Sequence, residues 1–157
     1  MNNSRGYFGI GVEGISKPMN MGNLMRSANA FGAHFFFTIN SSLGSEFKLS
    51  DTSNSKNHVP FWQYSSVNTL NLPDKCVLVG VEFTESAINL PSFPHPLSAA
   101  YVLGPERGSI SEELSKKCSH MVKIPTKFCI NVGVAGAIIM YDRMINMGHF
   151  RNSSLNN

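Results

Sequence analysis

Three short segments combine polar side chains and glycines in arrangements suited to holding a ligand. The first is Asn20-Met21-Gly22-Asn23-Leu24-Met25-Arg26, running on into Ala28, Phe31 and Gly32. Asn20 stands where it can cap a helix, and Arg26 falls within that helix's first turns. The pair is then presented at the strand-to-helix end of a sheet, where α/β proteins place their sites. The second is Leu103-Gly104-Pro105-Glu106-Arg107-Gly108. Its two glycines let backbone N–H and C=O groups approach a ligand closely, and they flank a carboxylate. In the third, Cys129-Ile130-Asn131-Val132-Gly133-Val134-Ala135-Gly136-Ala137, Asn131 opens a helix whose first turns are small residues. Such a helix packs closely against another element or against a flat ligand such as adenine. Each segment also has an ordinary structural reading: a cap beside a solvated arginine, a turn with a surface ion pair, a buried helix with a capping asparagine.

Other arrangements carry less. Gly9, Gly11 and Gly14 form a literal G-x-G-x-x-G after an apolar run, which is the dinucleotide-binding pattern. The helix should open at the third glycine and an acidic residue should follow about 20 positions on. Here Ile15-Ser16-Lys17-Pro18 intervenes and the next apolar run ends in Asn40, so glycines in a strand-end turn are the favoured reading. A dinucleotide-dependent oxidoreductase stays open as a minor alternative. Cys118 and His120 lack the ligand number and spacing of a zinc site, and no metal is implied. The P-loop, H-E-x-x-H and G-x-S-x-G signatures are absent from the sequence.

The elements that must position these segments alternate. Strands are predicted over 7–12, 34–39, 59–64, 76–81, 99–103 and 121–124, and helices over 23–31, 111–118 and 131–145. Ser109 and Glu112 are spaced as a capping box for the second helix, and Ser66 can cap a short turn before Leu70. The stretch 40–57 is polar and reads as a loop. The stretch 83–96 holds three prolines and reads as a connector over the surface. Most strands are apolar throughout, which predicts an α/β fold with a mainly parallel sheet flanked by helices.

The chain has 157 residues, 42% of them hydrophobic, enough for one domain with its own core and too few for several. That domain is expected to span 1–157, with an ordered core over about 7–148. Net charge is only +3, and the halves are balanced, with six basic and four acidic residues up to Lys75 and seven and six after it. No charged arm coats a polyanion, so any nucleic-acid affinity comes from a local patch. The three cysteines form no C-x-x-C and follow no secretory signal, which leads to the expectation of a reducing cytoplasm. The longest apolar stretch, 132–141, is half the roughly 20 residues needed to span a bilayer.

Taken together, in this order and spacing, the three segments closely resemble the three motifs of the SpoU-type RNA ribose methyltransferases of the SPOUT (α/β-knot) superfamily. The pattern N-x-G-x-x-x-R then A-x-x-F-G is met at Asn20, Gly22, Arg26, Ala28, Phe31 and Gly32. L-G-x-E-x-x-G is met by Leu103, Gly104 and Glu106, with the closing Gly108 one place early. Ile124-Pro125 and Ile130-Asn131-Val132-Gly133-Val134-Ala135 stand for the I-P pair and the L-N-V-S-x-A signature. Cys129 and Gly133 replace serines of the family pattern, and the loop over 125–131 is short.

The resemblance implies a C-terminal trefoil knot, S-adenosylmethionine as cofactor and methyl transfer to a ribose 2′-hydroxyl of RNA, with tRNA favoured over rRNA, in a homodimer. By the same carry-over, the segments around Val81, Leu103, Gly104, Gly108, Ile124, Cys129 and Ile130 cradle the cofactor. Arg26 activates the hydroxyl, and Asn20, Glu106 and Asn131 position cofactor, phosphate and loops. Arginine is always charged, so Arg26 acts as an electrostatic activator or phosphate-coupled base. Lys17, Arg26, Lys48, Lys56, Lys127 and Arg143 are the candidate RNA phosphate contacts, while Lys116 and Lys117 solvate a helix face. From a different class, a catalytically silent RNA-binding or cofactor-sensing module remains an alternative.

Overall fold

A computed structural model describes residues 6–43 and 59–148. Seven strands form one sheet: β1 (Tyr7–Glu13), β2 (Phe35–Ile39), β3 (Phe61–Tyr64), β4 (Val77–Val81), β5 (Ile88–Asn89), β6 (Ser98–Leu103) and β7 (His120–Lys123). Their order is β3-β2-β1-β6-β4-β7-β5, and every pairing is parallel. Helices α1 (Pro18–Ala30), α2 (Glu112–Lys117) and α3 (Val132–Asn146) lie against it.

The sheet is covered on both faces, as a parallel sheet must be. Phe8, Ile10 and Val12 of β1, with Ala99, Tyr101 and Leu103 of β6, point into the core beneath α1 and α3. The alternate residues Ala100 and Val102 join Phe35, Phe37 and Leu114 of α2 on the other side.

This alternation decides the role of the early glycines. Gly9 and Gly11 lie inside β1 opposite Phe35 and Phe37, and a Cβ at either would meet a phenylalanine ring within 2.1 to 2.5 Å. Glycine there makes room for two aromatic rings. Only Gly14, at φ +69°, turns the chain, and α1 does not start there. The dinucleotide reading is corrected accordingly.

Helix α1 starts earlier than its sequence pattern suggests, because Pro18 occupies the first turn, where its fixed φ suits the helix and its missing N–H is no loss. Lys17 is the N-cap residue and contributes no side-chain cap. Asn20 is therefore not the cap; it is buried in the first turn with its amide free for other partners. Likewise, α2 is capped by Ser111, whose hydroxyl accepts from Leu114 N–H at 3.2 Å, and not by Ser109. Asn131 does cap α3, accepting from the N–H groups of Gly133 and Val134. Its small residues serve close packing: a Cβ at Gly136 would stand 2.2 Å from Leu24 Cδ1 of α1. The connector over 83–96 also contributes β5, which two residues of local sequence could not announce.

Candidate functional site

The carboxyl ends of β4, β6 and β7 lie side by side, with Val81 level with both Leu103 and Val122. Beyond them opens a cleft of about 240 Å³. Its apolar walls come from Val81, Leu103, Ile124, Ile130, Val132 and Ala135, and its polar groups from Lys17, Asn20, Glu82, Glu106, Thr126 and Asn131. Phe83, Gly104, Pro105, Gly108 and Cys129 complete the lining, so all seven residues expected around the cofactor border one space. Gly108 adopts φ +100°, a conformation that side chains disfavour. At Gly104 a Cβ would stand 3.0 Å from Ile110 N, so glycine lets the loop fold back on itself.

Three polar side chains join the three segments. Asn131 Nδ2 donates to Asn20 Oδ1 at 3.1 Å, and Asn20 Nδ2 donates to Glu106 Oε1 at 3.4 Å. Because Asn131 Oδ1 accepts from Gly133 and Val134 N–H at 2.8 and 3.2 Å, and Asn20 Oδ1 accepts from Asn131, both amide orientations are consistent with their partners. Glu106 further accepts from Lys17 N–H at 2.9 Å and from the N–H and hydroxyl of Ser16 at 3.3 Å. The carboxylate thus ties the two residues just before α1 to the second segment. A Cβ at Gly133 would lie 3.1 Å from Asn131 Oδ1, so the glycine that replaces a serine here leaves the cap room.

Partial burial pushes the Glu106 carboxyl up, but hydrogen bonds from its own backbone, Lys17, Ser16 and Asn20 outweigh this and hold it below its ordinary value of 4.5. A folded-state pKa below the unfolded one contributes stability that is complete above about pH 4.5 and is lost as pH falls through the lowered value. Glu106→Gln should therefore flatten the acid limb of the stability curve. Urea unfolding of both proteins from pH 7 downward checks this; equal slopes below pH 4.5 would remove the carboxylate's part.

Arg26 lies outside the cleft. It borders an adjoining open hollow with Asn23, Ser27, Phe31, Val134 and Tyr141, and Asn131 lines both spaces. Lys17 is at the cleft and Lys127 is exposed in the loop beside it. Lys48 and Lys56 fall outside the described residues. Lys116 pairs with Glu112 at 3.0 Å on an exposed face, and Lys117 Nζ donates to the Val67 carbonyl.

Arg143 is no phosphate contact. It is 3% exposed, and its guanidinium donates to the carbonyls of Pro96, Leu97 and Tyr7 and to the Tyr101 hydroxyl. Its partners are at the amino ends of β1 and β6, the opposite end of the sheet from the cleft. The helical phase carried a signal: Val132, Ala135, Ile139, Met140 and Arg143 share the buried face of α3, so an arginine in that phase should be internal.

Two carboxylates were also missed. Glu13, 7% exposed, accepts from the N–H and hydroxyl of Ser111 at 2.8 and 2.6 Å. Glu82 accepts from Ile110 N–H at 2.7 Å. Both tie strand ends to the segment just past Gly108, which fixes the cleft wall. Glu13 closes one apolar strand and Glu82 follows another, and a carboxylate at such a strand end was the available signal.

The model of the SpoU rRNA methylase family matches residues 8–141. Among solved structures, the SpoU methyltransferase AviRb from Streptomyces viridochromogenes is similar at TM-score 0.78 and 21% identity, over 91% of this chain and 61% of its own. The AdoMet-bound rRNA methyltransferase from Sinorhizobium meliloti gives TM-score 0.80 and 15% identity, over 90% and 57%. A protein solved in a study of 2-OH methylation of C/U34 on tRNA gives TM-score 0.74 and 19% identity, over 90% and 91%. This chain spans about three fifths of the length of the first two. Among curated proteins none matches the sequence. The parallel sheet, the cleft beyond its carboxyl ends and the family match over nearly the whole chain agree: the chain belongs to the SpoU rRNA methylase family.

Proposed function

We propose that this chain is an S-adenosylmethionine-dependent RNA methyltransferase that acts on a ribose 2′-hydroxyl, of tRNA in preference to rRNA. The observation that carries the reading is the hydrogen-bonded run from Asn131 through Asn20 to Glu106, which unites three distant segments where a cofactor cleft meets an arginine-bearing hollow. The residues suit the cofactor. Aliphatic walls fit an adenine ring and a thioether, and the amides and carboxylate at one cleft fit an amino-acid end. When bound, S-adenosylmethionine supplies an electrophilic methyl group.

The chain's own residues supply the rest. A ribose hydroxyl is a weak nucleophile, so the site gains most by positioning it and by stabilising charge that develops on its oxygen. Arg26, a permanent cation, borders the hollow, which shares Asn131 with the cleft. It stabilises alkoxide character and holds a phosphate nearby. Asn131 and Asn20 fix the boundary between the two spaces, and Glu106 ties the start of α1 to the cleft wall. The tRNA preference is supported by the similarity, over 91% of its own length, of the structure connected with tRNA methylation.

The same reading includes a knotted C-terminal third, a reducing cytoplasm and a homodimer. For the dimer, Val134, Ile138, Tyr141 and Ile145 on one face of α3 are 37 to 52% exposed, an apolar row that lines part of the hollow and that a second copy would cover. A monomeric mass at micromolar concentration would remove the dimer.

The test is transfer of labelled methyl groups to separated undermodified tRNA and rRNA pools. Alkali-resistant label should appear in the tRNA pool, and Arg26→Ala should reduce it by about 100-fold. Cofactor binding without transfer to any pool would favour a silent binding module, and absence of cofactor binding would defeat the proposal.

A further inference from the structure

The loop between β7 and α3 is held by its own backbone. Thr126 N–H donates to the Ile124 carbonyl at 2.8 Å, and its hydroxyl donates to the Phe128 carbonyl at 2.7 Å. The Phe128 ring takes no part in this and is 73% exposed, more than any other large apolar side chain among the described residues. Its position is specific. Thr126 and Cys129 on either side of it line the cleft, so Phe128 belongs to the loop that borders the cleft. Lys127 beside it is exposed, and Lys17 lines the same cleft from the start of α1.

An exposed aromatic ring with lysines on the same rim suits unpaired nucleic acid: a base stacks on the ring while cations follow the backbone. A second copy of the chain is a competing occupant, but the apolar row on α3 and the hollow it lines are formed by other residues. A duplex competes poorly, because its base faces are already stacked against one another.

We propose that Phe128 is a stacking platform for an unpaired base next to the target nucleotide, with Lys127 and Lys17 meeting the flanking phosphates; this rests on the RNA-methyltransferase reading. The substrate class is then RNA with an unpaired loop or strand at the modified position.

Fluorescence anisotropy with a labelled RNA hairpin bearing an unpaired loop, and with a fully paired duplex of the same composition, tests this. The native chain should prefer the hairpin. Phe128→Ala should weaken hairpin binding about tenfold and leave duplex binding unchanged, Phe128→Trp should restore it and Phe128→Leu should not. Cofactor affinity and solution mass should not move. A loss of cofactor affinity would make the ring a cover of the cleft, a halved mass would make it an interface, and an equal loss on the duplex or no loss at all would leave no stacking role; each overturns the proposal. Methyl transfer by the native chain is a separate readout: its absence removes the enzyme reading, whereas intact transfer with unchanged hairpin binding by Phe128→Ala removes only the platform.

Discussion

Asn131→Ala is expected to lower methyl transfer by about 100-fold and to cost about 1 kcal/mol of stability. The two losses have different origins. The side-chain oxygen caps α3 through Gly133 and Val134 N–H, while the amide nitrogen holds Asn20. Asn131→Asp separates them. A carboxylate still caps, and the positive end of the helix favours it, so the melting temperature should stay near that of the native chain. It has no N–H to give Asn20 Oδ1, so that oxygen loses its donor and the run to Glu106 is broken. Transfer should therefore remain low in a stable protein. Thermal unfolding, cofactor calorimetry and methyl transfer on the three proteins decide it; a fully active Asn131→Asp would show that the link to Asn20 does not matter.

Arg143→Met should destabilise the fold by about 4 kcal/mol, which at roughly 2–4 °C per kcal/mol for a chain of this size lowers the melting temperature by about 8–16 °C. The carbonyls of Pro96, Leu97 and Tyr7 all lose a donor in a buried setting, and each orphaned acceptor carries a desolvation cost. The Tyr101 hydroxyl loses one as well. With Arg143 donating to its oxygen, Tyr101 gives its own proton to His95 Nδ1, 2.7 Å away, and His95 Nε2–H then donates to Asp142 at 2.7 Å. Burial lowers the pKa of His95 despite Asp142, in keeping with this neutral tautomer. Arg143→Lys should recover part of the loss, since an ammonium has three donors but no fork. RNA affinity of the folded fraction, read at low temperature, should be unchanged in both variants. A weaker affinity with intact stability would return Arg143 to the phosphate contacts.

The two arginines show where reading a sequence stops. Arg26 and Arg143 are each a single cation on a helix, yet one borders an open hollow and the other is sealed inside. Three of the four partners of Arg143 are backbone carbonyls, which every residue possesses and which leave no mark in the sequence. Only the phase of α3 pointed inward. The early glycines misled for a related reason. G-x-G-x-x-G specifies which positions lack a side chain, but what fills the space depends on the neighbouring strand, and here Phe35 and Phe37 fill it.

By itself the amino-acid order determined the strand and helix alternation, the parallel sheet and the residue types of the three segments, because apolar runs, prolines and caps act over a few positions. The resemblance to the SpoU family, and not local pattern, is what implied that Val81, Leu103, Gly104, Ile124 and Ile130 gather around one ligand. Tertiary structure alone decided that Asn20 is no cap but the middle of a polar run, and that Glu106 serves the start of a helix nearly 90 residues earlier. It also decided that Glu13 and Glu82 brace the segment after Gly108. A hydrogen bond between side chains so far apart in sequence exists only after the sheet has aligned its strand ends, and no local pattern encodes which strand ends will meet.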